Sequence, residues 1–360
     1  MARLFGRDFS REALLERVGN VSQVAGLRRV EAAEGPGKGV GLVECWTGSG
    51  LRFTVALDRG MDIPFAWFGG TPLGWHAPPG LKAPAFYEPE GLEWLWTFAG
   101  GLLTTCGLQH AGAPSDLPND PHGLHGRIST TPADTISLET RWEGDDYVMR
   151  IHGTCREARV FGPYLTLERT ITARLGESAF LIDDVVTNQG HVEQPHMILY
   201  HFNIGWPIVD DGARLLLKAR EAVPRDAEAE KDADRWQTFH APVAGYAERC
   251  YFITPEPAEN GTVTAAVVNP ALHGGHGLGV SLNYSNRVLP KFVEWKMMGQ
   301  GHYVVGMEPA NCLIYPRSRL VKEGLLPILA AGESRRYTIE VGAVSGREAI
   351  ASLAARVGGS

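Results

Sequence analysis

The sequence predicts an all-β protein, a large antiparallel β-sandwich with a few short helices. Three observations predict it. Apolar and polar residues alternate with a period of two in segment after segment between Val40 and Val344, the spacing of half-buried strands. No long helical pattern separates these segments, which excludes a doubly wound parallel sheet. The 43 glycines and 23 prolines supply the turns such a fold needs. No repeat of fixed period occurs, which disfavours a propeller. At 360 residues, a length of roughly 150 residues per domain would suggest two domains. Large sandwiches run longer as single units, and residues 1–360 are read as one.

The elements follow in order. Within the first twenty residues, "SREALLERV" (10–18) reads as a short amphipathic helix with Ser10 as N-cap and Ala13, Leu14 and Val18 as its apolar stripe. "VGLVECWTGSGLRFTVALDRGMDIPFAWFGG" (40–70) reads as three strands joined by glycine turns. Residues 135–142, 146–155, 163–176, 179–190 and 194–206 continue the rhythm, as do 262–270, 278–285, 291–299, 302–309 and 335–344. Two segments interrupt it. Residues 78–121 form a long proline- and glycine-rich insertion with aromatic residues, and a loop of that length in a compact domain is often functional. Residues 219–236 are of mixed charge and are expected to be an exposed loop or short helix, and 346–360 a small helix with a frayed tail.

Composition removes several classes of function. Charged residues are 21% and the net charge is −7, with no basic block, so a nucleic-acid surface is not expected. No apolar run reaches the roughly 18 residues of a membrane span, and the first twenty residues contain no secretory apolar core. The five cysteines (45, 106, 155, 250 and 312) are scattered without a CxxC pair, as expected of free thiols in a reducing cytoplasm.

Histidines carry the first chemical signal. Seven of twelve fall between His110 and His201, and "HGLHGRIS" (122–129) places two of them three apart. Such a pair ligates a metal from one face of a helix, but Pro121, Gly123 and Gly126 oppose a helix there. A strand would send the two to opposite faces. A plain turn is the other reading, since Asn, Asp, Pro and Gly are what turns use. In "LYHFNIGWP" (199–207), a strand puts His201 and Asn203 on one face, His201 as acid or base near neutral pH. In "VVGMEPANC" (304–312), Glu308 sits in an apolar run where desolvation raises a carboxyl pKa and suits a general base. In "KFVEWKMMG" (291–299), Glu294 and Lys296 share one face and Trp295 takes the other, free to stack on a sugar or to pack in the core. Arg59 and Asp62 in "LDRGMDI" are charges in an apolar setting, either a structural turn or a guanidinium fork toward substrate.

These segments resemble the aldose 1-epimerase (galactose mutarotase-like) superfamily, and more closely a bacterial branch of it marked by "DRGMDI", "LGW" and "TFAGGLLTTCGLQHAG". The resemblance to the branch spans about residues 20–345. "LHGR" (124–127) is similar to the family's Leu-His-Gly-Gly segment, which gives His125 the place of the histidine near the ring oxygen. "YHFNIG" (200–205) is similar to the His-x-Tyr-Phe-Asn-Leu segment, with the histidine here directly before Phe-Asn. "GMEPAN" (306–311) is similar to the segment carrying the catalytic glutamate, Glu308 here. The family's sugar-binding aspartate has no clear counterpart among Asp62, Asp210 and Glu294.

The resemblance implies the family's large antiparallel sandwich and anomer exchange by ring opening, without metal or redox cofactor. Glu308 is expected as base and His201 as acid, with His125 assisting at the ring oxygen. Arg59, Asp62, His122, Arg127, Asn203, Trp295 and Lys296 are the expected carbohydrate contacts, and Arg59, Arg127, Lys296 and Arg317 together suggest an anionic sugar. The rivals are a metal-dependent sugar isomerase using His110, His122, His125, His201 and Glu308 as ligands, a non-catalytic carbohydrate-binding sandwich, and a lyase or hydrolase on a related sandwich. The insertion at 78–121 is expected either to close over the site or to pack on a second copy of the chain in a homodimer.

Overall fold

The computed structural model describes residues 1–358; the last two residues of the expected C-terminal tail lie outside them. Two large sheets pack face to face. The first has eleven strands. Its order runs Ala219–Pro224, Arg249–Pro255, Lys291–Gly299, His302–Ala310, Leu199–Gly205, Leu103–Cys106, Asp62–Phe68, Leu51–Ala56, Gly41–Trp46 and Gly26–Glu31, with Thr71–Pro72 paired to Asp62–Phe68. The second has eight, in the order Ala133–Glu143, Asp146–Ala158, Tyr164–Arg174, Ala179–Asn188, Ser334–Ser345, Leu278–Ser285, Thr262–Asn269 and Arg214–Leu217. The pairings within both sheets are antiparallel, and the helices are short. This is the sandwich expected from the period-two pattern.

Alternation decides what each strand sends inward. Along Ala179–Asn188 every second residue is buried, so Phe180, Ile182, Asp184, Val186 and Asn188 face the other sheet. Phe180 stacks on Phe53 across the interface with ring centroids 4.4 Å apart, an arrangement contributing about 0.5–1.5 kcal/mol beyond area burial. Asp184 meets Arg169, which is wholly buried. The Arg169 guanidinium donates to both Asp184 oxygens (2.9 and 2.7 Å), to Asp62 Oδ1 (3.1 Å) and to Thr105 Oγ1 (2.9 Å). Tyr200 Oη donates to Asp184 at 2.7 Å. Opposed buried charges of this kind are held because each is paired.

Several elements differ from the sequence reading. The N-terminal helix is only Arg11–Leu15, capped by the Ser10 hydroxyl accepting from Ala13 N at 3.1 Å, and a hairpin of Ala2–Leu4 with Arg7–Phe9 precedes it. The insertion at 78–121 is not all loop: it contributes Leu103–Cys106 to the middle of the first sheet. That strand is buried on both faces, so it shows no alternation. Residues 219–236 are mostly not loop either. Ala219–Pro224 is an edge strand, followed by a one-turn helix, Ala227–Glu230. The segment 194–206 divides into Gln194–Pro195, paired with Ile328–Leu329, and the strand Leu199–Gly205. The helix Arg347–Val357 forms as expected.

A second apolar cluster lies on the outer face of the first sheet. Trp94 and Phe98 from the insertion cover Leu199, Phe252, Val293 and Ala310 there. Arg59 fastens the insertion. Its guanidinium donates to the carbonyls of Ser129 (2.7 Å), Lys82 (2.8 Å) and Thr97 (2.8 Å). The Arg59 guanidinium is thus committed to backbone carbonyls and does not line the cavity that holds His201 and Glu308.

Candidate active site

Register brings the central pair together. Leu199 stands opposite Ala310 and Phe202 opposite Met307, so His201 stands opposite Glu308 on the neighbouring strand. Residues directly opposite in an antiparallel pair share a face. His201 Nε2 and Glu308 Oε1 are 3.2 Å apart. No hydrogen bond joins them, and Glu308 Oε1 and His201 Nδ1 are both buried without a partner. The same face continues outward across the sheet: Val293 is opposite Glu308, Trp295 opposite Gly306, and Cys250 opposite Trp295. Gly306 leaves room for the Glu308 carboxylate. A Cβ on it would collide with Glu308 Oε1 and approach Trp295 Cβ to 3.0 Å.

The insertion and the turn after it close the space above. His125 is held with φ +58°, a left-handed conformation that few non-glycine residues adopt. Its N–H donates to Gly112 O at 2.8 Å, and its carbonyl accepts from Gly107 N at 3.1 Å. Gly112 N in turn donates to His125 Nδ1 at 3.3 Å. A neutral ring accepting at Nδ1 carries its proton on Nε2. His125 and His201 face each other with ring centroids 5.8 Å apart. Phe98 and Trp295 each lie 5.5 Å from the His201 ring, and Trp94 lies 4.8 Å from His125. Together they line a cavity of about 680 Å³, within the usual range for small-molecule sites.

Burial sets the protonation of the pair. It depresses the His201 imidazole to about 3 and raises the Glu308 carboxyl well above its ordinary range, with Glu248 and Glu294 adding to the rise. His125 is also driven down, by burial first and then by His201 and His110. Both shifts run the same way, toward a neutral imidazole and a protonated carboxyl.

Other expected contacts lie elsewhere, each for a visible reason. Asp62 faces between the sheets, where it accepts from Thr105 N and Oγ1 (2.9 and 2.6 Å) as well as from Arg169. Lys296 points away from Trp295 by alternation and is buried on Asp232 (2.7 Å) and Arg235 O (2.8 Å). Asn203 is buried beside the pair, donating to His201 O at 2.9 Å, and does not line the cavity. His122 turns to the other side of its segment, with Nε2 3.1 Å from Asp120. Arg127 and Arg317 line a separate cavity. None of the four basic groups read as anion contacts reaches His201 and Glu308. The one arginine on the cavity wall among the described residues, Arg225, is paired with Glu248 at 3.0 Å.

The ligand set of the metal reading does not assemble either. His110 and His122 stack on each other 5.4 Å apart, and no group of three or more metal-ligating side chains converges among the described residues.

Sequence reasoning missed most of the apolar wall. Trp75, Trp94, Phe98, His302, Arg225, Glu248 and Cys250 all line the cavity. Trp75 lies in "LGW", and Phe98 is the second residue of the "TFAGG" segment, with Trp94 three residues ahead of that segment. The aromatic content of those motifs was the available signal.

The fold is that of the galactose mutarotase-like sandwiches. The chain belongs to the family described as a domain of unknown function (DUF4432), whose model matches residues 37–343. It is similar to the crystal structure of a "putative aldose 1-epimerase" from Klebsiella pneumoniae subsp. pneumoniae MGH 78578, at 26% identity and TM-score 0.87, covering 94% of this chain and 90% of that one. A galactose mutarotase-like protein from Clostridium acetobutylicum shares the fold at 13% identity and TM-score 0.62, covering 90% of this chain and 99% of that one. A galactose mutarotase-like protein from Lactobacillus casei ATCC 334 does so at 13% identity and TM-score 0.53, covering 88% and 100%. No curated protein matches the sequence. No helix among the described residues is long and apolar enough to cross a membrane.

Proposed function

We propose that the chain is an aldose 1-epimerase-like enzyme that interconverts the anomers of a sugar by acid–base ring opening at Glu308 and His201. The observation that carries this reading is the register-matched His201–Glu308 pair, 3.2 Å apart, in one apolar cavity with His125. Anomer exchange needs a group that takes the proton from the C1 hydroxyl and one that gives a proton to the ring oxygen. The C1–O5 bond then breaks, the aldehyde rotates, and both transfers reverse on the other face.

The pair holds the single proton this cycle consumes and returns. A carboxylate base with an imidazolium acid contains the same number of protons as the neutral pair that burial favours. Moving from one to the other is an internal transfer that a bound hydroxyl can mediate. His125, with its Nε2 proton directed by the bond at Nδ1, is placed to donate to the ring oxygen or a neighbouring hydroxyl. Trp295 and Trp75, 6.0 Å apart, offer apolar faces to a sugar ring. With Arg225 neutralised by Glu248, a neutral sugar suits the cavity better than an anionic one.

The test is anomer exchange measured by polarimetry or NMR on Glu308→Gln with an aldose that the wild type turns over. The expected loss is at least about 100-fold, the scale of a positioned acid–base group. Exchange within a few-fold of wild type removes Glu308 from the mechanism.

A further inference from the structure

The two histidines of "HGLHG" serve different cavities. His125 faces the Glu308 cavity, and His122 lines a second one of about 690 Å³ on the other side of the same segment. Three arginines line this second cavity, Arg127, Arg159 and Arg317. Arg317 is committed, donating to Gln109 O at 2.9 Å and paired with Asp120. Arg127 and Arg159 are not: among the described residues neither side chain makes a hydrogen bond or ion pair. Arg159 lies along the wall because Gly162 has no side chain; a Cβ there would meet Arg159 Nε at 2.7 Å.

Hydroxyl-recognising groups share the space. Gln109 Nε2 donates to Gln194 Oε1 at 2.9 Å, which leaves the Gln194 amide nitrogen uncommitted. Glu157 is buried at the cavity's edge, accepting from Leu108 N at 2.7 Å. Two uncommitted guanidiniums match the oxygens of a phosphate or carboxylate. The amides and the carboxylate match hydroxyl groups.

We propose that this cavity is a second small-molecule site, taking a hydroxyl-bearing molecule that carries a phosphate or carboxylate group. The inference stands apart from the epimerase reading, since no residue of the Glu308 cavity enters it.

The test is isothermal titration of the full chain with inorganic phosphate, glucose 6-phosphate and glucose at constant ionic strength. Saturable binding of glucose 6-phosphate, tighter than inorganic phosphate, is expected, and any binding of glucose, at the Glu308 cavity, should be the same with and without the arginine substitutions. The double variant Arg127→Ala, Arg159→Ala should weaken it at least about tenfold, because those two groups make the charge-assisted bonds. Neither side chain holds another part of the protein, so this variant folds. Glu308→Gln should leave the binding unchanged. No saturable binding of either phosphate, an unchanged affinity in the double variant, or a loss in Glu308→Gln overturns the proposal. Equal affinity for inorganic phosphate and glucose 6-phosphate overturns its hydroxyl-binding part.

Discussion

Substituting Gly306 by alanine tests whether the chemistry depends on where Glu308 stands. Gly306 has no positive φ, so alanine fits its backbone and the effect is steric. The added Cβ would overlap Glu308 Oε1 and sit 3.0 Å from Trp295 Cβ. Carbon and oxygen pack comfortably only beyond about 3.5 Å, so the carboxylate must retreat by about 1 Å. A 1 Å misplacement of a reacting group can cost on the order of 100-fold. Overpacking a tight site costs roughly 1–3 kcal/mol of stability, which a protein with a core this large should survive. Purified Gly306→Ala should therefore show an unaltered circular dichroism spectrum, a modestly lowered Tm and kcat reduced by about 100-fold. KM should change less, because the walls that hold the sugar remain. Activity within about threefold of wild type, in a folded variant, would refute the placement of Glu308 at the reacting atoms.

Four further outcomes follow. With His201 depressed to about 3, the imidazole is already neutral at pH 5.5, so kcat/KM should not rise between pH 5.5 and 7.5; a gain of activity through the ordinary histidine range contradicts the assignment. Glu308 is raised in the folded state, so its contribution to stability is full below the ordinary carboxylate range and is lost as pH rises through the folded value. Glu308→Gln should thus gain stability relative to wild type from pH 5 to pH 8 in urea titrations, and a gap that narrows with rising pH would count against a desolvated carboxyl. Trp295→Ala removes the ring 5.5 Å from His201 and should raise KM several-fold with kcat nearly kept, whereas an unchanged KM would take Trp295 out of the sugar platform. Arg169→Met leaves Asp62 and Asp184 buried and unpaired, a loss of about 3–5 kcal/mol; a change under about 1 kcal/mol in urea denaturation would show that the network is not needed.

The long strands were legible because one face of each meets the core and the other does not. Ala179–Asn188 alternates along its whole length. Leu103–Cys106 and Arg249–Pro255 are buried on both faces for most of their length, so no period marks them. The pair His201 and Glu308 was legible from residue type and apolar setting, since burial of an uncompensated polar group is expensive unless used. The same logic pointed to Arg59, Asp62 and Lys296. There the cost is met inside the protein, by carbonyls for Arg59 and by opposite charges for the other two. Backbone carbonyls are present in every sequence, so nothing in the residue types announces that three of them will converge on Arg59.

The buried charges are not separate from the site. Consecutive strand residues face opposite ways, so each strand that fixes an inner contact also aims an outer one. Tyr200 bonds Asp184 on the inner side, and the next residue, His201, faces the cavity. Thr105 bonds Asp62 and Arg169 on the inner side, and Thr104 beside it is paired with His201. A slip of one residue in the first strand would send Tyr200 outward and the imidazole into the core, and a slip in the second would carry Thr105 away from Asp62 and Arg169. The Arg169–Asp62–Asp184 network makes either slip costly, because its buried groups would lose the hydrogen bonds of Tyr200 or Thr105. The network thus holds the register that sets His201 opposite Glu308, and a variant such as Arg169→Met that still folds should lose activity along with stability.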